Sequence, residues 1–303
     1  MGLHIQILPR QRIHTEQWNQ CVADANHPNI FMYSWALDAL CTYWDGLIIN
    51  DYEAVLPLPW RQKWGIKYLY QVPFMPRLSV MGVNWQPTDS PAVLQAMQQH
   101  FSFIHTDIDN LVCAPWATRS RTNLYLPLSH TYATLEARFT EACRKNIRKA
   151  TARGCQLAPA NRVEDIILMY DNAYGGLQNT HTQRNYQSAI AFAHAALQHQ
   201  KASMWQVEQQ LTHEPLYTAI LLHDKHRIYY WLGAPTAQGR QCRATYFFIS
   251  QIVQQYSQSQ HCFDFEGSDI PSVAHFYQQF APLTETYHQV KWHRLQWLLG
   301  NRL

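Results

Sequence analysis

The chain has 303 residues, 47% hydrophobic and 13% aromatic, with only 15% charged and a formal net charge of +3. This composition excludes a disordered polymer, and so small a net charge excludes nucleic-acid binding by charge spread over the whole molecule, so any such affinity has to be local. The length accommodates two domains of ordinary size. Seven cysteines, at 21, 41, 113, 143, 155, 242 and 262, form no CxxC spacing and leave one over in any pairing, which points to free thiols in a reducing cytoplasm. None of the sixteen histidines falls in an HxxxH or HExxH pattern, so no metal site is expected. No leader and no apolar run long enough to span a bilayer is evident, and the expectation is a cytoplasmic protein.

Taken in chain order, Trp44 to Asn50, Glu53 to Trp60 and Ile66 to Tyr70 read as three short strands joined by polar turns, a meander. A helix is predicted from Pro91 to His100, followed by a strand at Phe101 to His105. The stretch Tyr132 to Ala152 has helical periodicity, with Leu135, Phe139, Ala142, Ile147 and Ala150 available for an inward face. Gly154 then supplies the left-handed stop. Val163 to Tyr174 and Tyr186 to His199 read as amphipathic helices, and the polar stretch Gly175 to Asn185 between them is a candidate lid or a plain connector. Ser203 to Glu208, Pro215 to His223 and Arg227 to Gly233 repeat the earlier meander, and Arg243 to Ser259 repeats its helix. The pattern is that of an internal duplication with a period far longer than that of a solenoid. Thr284 to Val290 and Trp292 to Leu299 read as two closing strands.

Two stretches carry candidate chemistry. The first is the helix holding Arg138, Arg144, Lys145, Arg148, Lys149 and Arg153, a basic block in a chain with little charge elsewhere. Like charges four residues apart cost a few tenths of a kcal/mol per pair, roughly. Either the block is a solvated face, or it is an anion site for phosphates of a nucleotide, a cofactor or RNA. The second is His261 to Ser268, where Phe263 and Phe265 alternate with Asp264 and Glu266. That alternation reads as a strand bringing two carboxylates to one face; Gly267 and Ser268 stop it, and Pro271 opens a helix that carries Tyr277. Acids at a strand end and a tyrosine on the next helix put proton acceptors and a proton donor at the mouth of one sheet. Cys262, at an apolar strand start, reads as a packed thiol rather than a nucleophile.

The run from Phe139 through Arg144-Lys145-Asn146-Ile147-Arg148-Lys149-Ala150 to Gly154 resembles a signature of GNAT-fold acyltransferases of the Fem type, a group that includes the peptidoglycan aminoacyl transferases. Phe263 to Ser268, with Ala274 to Phe280, resembles the closing motif of the same group. The resemblance implies an α/β (α+β) fold of tandem duplicated GNAT-like (acyl-CoA N-acyltransferase) domains, at 1–130 and 131–303, each with a mixed sheet splayed at its centre to admit an acyl donor. It also implies a donor phosphate site on the helix start after the fourth strand, which falls here on Gly233 to Ala244 with Gly239, Arg240 and Arg243. Tyr277 falls where simple GNAT enzymes place the tyrosine that protonates the departing thiolate.

The leading expectation is transfer of an acyl or aminoacyl group to a small-molecule amine, from acetyl-CoA, another acyl-CoA or an aminoacyl-tRNA. In it Asp264 or Glu266 accepts the amine proton, Tyr277 supplies the leaving-group proton, and Arg144, Lys145, Arg148, Lys149, Arg240 and Arg243 hold phosphates. One alternative is a ligand-binding module that has kept the cleft and lost the chemistry. Another is RNA binding through the basic helix alone, which requires aromatic platforms beside it.

Overall fold

The segment Trp44–Ile49 is buried at every position, and an unbroken buried run of this kind belongs to a strand covered on both faces rather than one. In a computed structural model, which describes residues 3–113, 116–178, 181–266 and 270–294, this strand lies in a unit made of residues 1–121 and 286–303. The unit contains β1 (Ile5–Pro9), α1 (Thr15–Asp24), α2 (Ser34–Leu40), β2 (Trp44–Ile49), β3 (Ala54–Lys63), β4 (Ile66–Tyr70), the short β5 (Leu78–Ser79), α3 (Ser90–His100) and β6 (Phe103–Asp109). From β1 to β4 each strand is antiparallel to the next, and β6 then runs parallel to β4. The C-terminal strand Leu283–His293 (β13) pairs antiparallel with β6. Trp18 of α1 is fully buried, packs on Trp44 at a ring distance of 5.1 Å, and donates its indole N–H to the carbonyl of Met32 at 2.8 Å. A large aromatic side chain is thereby buried without stranding its polar atom.

The second unit, residues 122–285, starts within β7 (Ala117–Pro127) and continues through α4 (Tyr132–Arg138), α5 (Glu141–Ala152), β8 (Cys155–Pro159), α6 (Val163–Gln178), α7 (Gln183–Gln198), β9 (Ala202–Gln209), β10 (Pro215–His223), β11 (Arg227–Pro235), α8 (Ala237–Cys242), α9 (Ala244–Gln255), β12 (Cys262–Asp264) and α10 (Pro271–Gln278). Its sheet runs β8-β9-β10-β11-β12-β7, antiparallel except for the parallel β11–β12 pair. Leu216 to Leu222 on β10 are all buried, because helices cover both faces of the sheet. Phe248 on α9 packs against Tyr217 and Tyr230 at 4.9 and 6.0 Å on one face, and Phe192 on α7 meets Trp231 edge-on at 5.0 Å on the other.

Both units contain one order: strand, two helices, three-stranded meander, a helical segment (α3 in the first, α8 and α9 in the second), then a strand parallel to the last of the meander. The duplication read from the sequence is present, with one feature that periodicity does not contain. The closing strands are exchanged: the strand ending the first half of the chain pairs with β12, and the strand ending the second half pairs with β6. The units accordingly part at 121/122 and 285/286, where the sequence suggested 130/131.

Several local expectations change. Tyr132 to Ala152 is two helices, because Thr140 leaves the helix, caps α5 by accepting the Cys143 N–H at 3.2 Å, and gives its own N–H to the carbonyl of Gln279 at 2.9 Å. That break shifts the helical phase, so Cys143 turns inward and Ala142 outward. The candidate lid at 175–185 is largely helical: α6 runs on to Gln178, and α7 starts early on a reciprocal capping box between Thr182 and Asn185. The helix expected from Arg243 is α9, preceded by the separate α8, and Arg243 between them adopts a left-handed φ of 64°. In place of two closing strands there is one, Leu283–His293, and 295–299 lie outside the described residues, as do Gly267 and Ser268.

At the end of β10, His223 Nε2 shares a hydrogen bond of 2.7 Å with the Ser203 hydroxyl, and Trp205 donates to the same hydroxyl at 2.9 Å. Burial, with His261 and Lys201 nearby, depresses its pKa from 6.5 to about 4. A base whose folded pKa lies below its unfolded value binds protons more tightly when unfolded, so its contribution to stability is intact above pH 6.5 and is lost as pH falls toward 4. Urea unfolding across this window should show a loss on the order of 2 kcal/mol that is much reduced in His223→Gln.

Candidate active site

The site begins where two strands part. β11 and β12 pair in parallel over only three positions, Arg227 with Cys262, Ile228 with Phe263 and Tyr229 with Asp264. Beyond them β11 continues to Pro235 while the chain after β12 turns away. From Tyr230 onward β11 keeps β10 on one side and has no strand on the other among the described residues. Into this fork opens a cavity of about 890 Å³, within the range of small-molecule sites. In the first unit the corresponding seam is filled. Where β4 ends, β5 takes its place beside β6 at Ile108 and Asp109, and the Gln71 side-chain oxygen accepts the Asp107 N–H at 2.7 Å.

Glu266 lines the cavity and Asp264 does not. Strand alternation predicts both acids on one face, but β12 ends at Asp264 and Glu266 has a φ of 62°. For a residue other than glycine this left-handed turn needs support. Asp264 supplies it, accepting the Glu266 N–H on Oδ1 at 2.8 Å. The same carboxylate, buried to 1% exposure, accepts from the Asn123 amide at 2.9 Å and pairs with Arg227, which also binds Glu285 through two bonds of 2.8 and 2.7 Å. Both oxygens of Asp264 are thus committed inside the protein. The expected pair of acids on one face is corrected accordingly: one carboxylate faces the cavity, and the other holds the turn that aims it.

Tyr277 extends from α10 to the cavity, its ring oblique to Phe265 at 4.8 Å and edge-on to Tyr230 at 6.1 Å. Burial raises its pKa well above the ordinary tyrosine value, so the hydroxyl stays protonated. The cavity also has an aromatic wall: Tyr170 and Tyr174, one turn apart on α6 with rings at 5.2 Å, together with Tyr230, whose hydroxyl is hydrogen-bonded to that of Tyr217. Sequence reading passes over this wall, although two tyrosines four residues apart on a predicted amphipathic helix were its available signal. Their role emerges only because α6 packs across β11.

Gly239, Arg240 and Arg243 all line the same cavity. Gly239 is in α8, where a Cβ would collide with the carbonyl oxygen of Leu216, so the helix approaches β10 this closely only with glycine there. The α8 start is closed internally, since the Thr236 hydroxyl accepts the Gly239 N–H at 2.9 Å. The α9 start is different: Arg243 precedes it without a side-chain cap, its carbonyl accepts the Tyr246 N–H at 3.0 Å, and Arg243 and Thr245 at this helix start line the cavity. Arg240 also reaches Tyr174, whose pKa is raised by burial while the guanidinium works to lower it.

The four expected phosphate ligands on the basic helix are not among the cavity lining. Arg144 folds back and donates to the carbonyls of Ala137 and Phe139, at 3.0 and 2.5 Å, closing the C-terminus of α4. Lys145, Arg148 and Lys149 lie on α5 away from its buried face. Cys262 is half-buried with its thiol pushed up to about 11, chiefly by burial, which leaves it protonated. Among the described residues no group of histidine, cysteine and carboxylate side chains is arranged to hold a metal ion.

No protein-family model matches the chain, and no curated protein matches it in sequence. Solved structures do match. FemX is similar with a TM-score of 0.66 and 11% identity, covering 96% of this chain and 97% of that one. A conserved protein of unknown function from Bacteroides thetaiotaomicron gives a TM-score of 0.62 and 10% identity over 92% of this chain and 97% of that one. A tandem GNAT protein from the clavulanic acid biosynthesis pathway gives 0.52 and 8% over 95% and 98%. The likeness runs through nearly the whole of each chain, and on it the protein has a Fem-type, GNAT-like fold of two tandem units with mixed α/β sheets.

Proposed function

We propose that the chain transfers an acyl or aminoacyl group from an activated donor to an amine, in the cavity of the 122–285 unit. The observation that carries this reading is the convergence, on one cavity, of a carboxylate (Glu266), a neutral phenol (Tyr277) and a cationic end built from Arg240, Arg243 and the start of α9. In the reaction, Glu266 takes a proton from the incoming ammonium, and the freed amine attacks the donor carbonyl carbon. A carbon–nitrogen bond forms, the carbonyl becomes an oxyanion, and its collapse breaks the bond to the donor's sulfur or oxygen. Tyr277 gives its proton to that leaving atom, and the tetrahedral intermediate's nitrogen proton restores it. No covalent enzyme intermediate is needed.

An acyl-CoA is the donor we favour. Its phosphates match the cationic end, and its amide-bearing arm can run alongside β11 past the end of its pairing with β12, as an added strand does. Lys145, Arg148 and Lys149, outside the cavity, would serve only a donor that extends well beyond it, such as a charged tRNA. Asp264, with Arg227 behind it, acts in this reading as a positioning residue for Glu266.

Titration calorimetry at low salt should show saturable, micromolar binding of acetyl-CoA and of free coenzyme A. Arg240→Ala combined with Arg243→Asn, which tolerates the left-handed backbone, should weaken it about tenfold or more. Absence of heat at high ligand would remove acyl-CoA as donor and leave an aminoacyl-tRNA or a cleft without chemistry.

With a donor and an amine panel in hand, release of the leaving group should fall roughly 10²–10⁴-fold in Glu266→Gln with donor affinity unchanged. Tyr277→Phe should slow turnover most for donors with poor leaving groups, and Asp264→Asn should lower kcat more than it raises KM. Full activity in Glu266→Gln would take this carboxylate out of the mechanism.

A further inference from the structure

The hairpin joining β3 to β4 carries a costly choice of residue at its tip. β6 meets β4 only from Tyr68 onward, so the tip projects past the end of that pairing, and residues 61–66 are all exposed. Its two-residue turn, Trp64-Gly65, has φ values of 51° and 77°, a backbone that favours asparagine followed by glycine. Here a tryptophan takes the first position, 88% exposed, with Ile66 close by at 50%. Single exposed apolar residues are ordinary. A bulky ring held in a left-handed backbone at a projecting tip, beside an exposed aliphatic side chain, is not.

Charge points to the partner. From Ala54 to Thr88 the sequence contains no acidic residue, while Arg61, Lys63 and Lys67 fall within or beside the turn. Lys67 is turned inward and pairs with Asp45. Arg61 and Lys63 stay at the surface, the Lys63 ammonium 4.6 Å above the Trp64 ring and the Arg61 guanidinium 4.2 Å from the Tyr70 ring. Register places Lys63 opposite Ile66 and Arg61 opposite Tyr68, so the cations and the aliphatic side chain share one face of the hairpin. An indole at the tip with cations behind it matches the depth profile of a bilayer surface, where tryptophan sits at the headgroup level and lysine and arginine meet anionic lipid. A single-stranded nucleic acid fits less well. Its platforms are charged grooves lined by stacking rings, whereas this tip is a projecting turn and its second apolar residue, isoleucine, has no ring on which a base can stack.

We propose that the β3–β4 tip docks the protein peripherally on an anionic lipid surface, with Trp64 and Ile66 entering the headgroup layer and Arg61 and Lys63 contacting anionic headgroups. No helix among the described residues is long and apolar enough to cross a membrane, and attachment through one such tip would be reversible. The inference is independent of the cavity in the second unit.

The test is co-sedimentation of the full chain with vesicles of equimolar phosphatidylglycerol and phosphatidylcholine, against vesicles of phosphatidylcholine alone, across a salt series. Preferential association with the anionic vesicles, weakening with salt, is expected. Trp64→Asn suits the turn better than tryptophan and so keeps the fold, which circular dichroism and thermal unfolding would verify; it should lower association about tenfold. Lys63→Gln and Arg61→Gln should each lower it about fivefold. Failure of the native chain to prefer anionic vesicles, or undiminished association of Trp64→Asn, would overturn the proposal. So would a single-stranded oligonucleotide that binds at the tip, with Trp64→Asn abolishing that binding, while vesicles do not bind.

Discussion

The site depends on the short parallel pairing of β11 with β12. Three paired residues are enough to join the strands, and past Tyr229 no strand among the described residues pairs with β11 on that side, where a wedge of space opens. A strand edge left open inside a protein is costly unless something pairs with it. The first unit covers the same seam with β5 and with the side chain of Gln71. The second unit leaves it as a cavity walled by aromatic rings. Two copies of one topology thus differ at the position that decides whether a ligand has room.

What fixes the mouth of the fork is electrostatic. Arg227 sits between Asp264 and Glu285, and Asn123 donates to both carboxylates, at 2.9 and 2.8 Å. A buried charge cluster of this kind is weak evidence for net stability, since desolvation offsets much of the attraction. Its geometric effect is clearer. Asp264 is held where its oxygen accepts the Glu266 N–H, and the left-handed turn this supports sends the following carboxylate toward the cavity. Two acids separated by one residue therefore have different surroundings, one ion-paired in the interior and the other at a ligand-sized space. The chain also places strain nearby in Arg243, a left-handed arginine between α8 and α9 that gives the second helix no side-chain cap.

Exchange of the closing strands gives each unit one strand from the other half of the chain. The first unit is consequently discontinuous in sequence, and β7 and β13 are required for both sheets to reach their full width. Such pairing joins residues far apart in sequence, a feature associated with slow folding because loop closure has to precede the contacts that reward it.

Elements whose signal is local were legible in the chain. The meanders at 44–70 and 203–233, α3, α7 and α10 follow from hydrophobic period, turn residues and a helix-opening proline, and the basic and acidic motifs pointed to the GNAT-like fold. The same local rules singled out Glu266 and Tyr277, and the family resemblance added Gly239, Arg240 and Arg243; all five line one cavity. The remainder was settled by long-range packing. Period-two alternation cannot register that a strand stops at its first acid, because the reason lies in Arg227 and Asn123, distant in sequence from Asp264. Nor can helical period separate Arg144, which closes the end of α4, from Lys145 and Arg148 on the same helix, which close nothing there. The aromatic wall of Tyr170, Tyr174 and Tyr230 and the exchange of β7 and β13 are outcomes of how distant segments pack and pair, and no residue in those segments announces its partner to a reader of the chain alone.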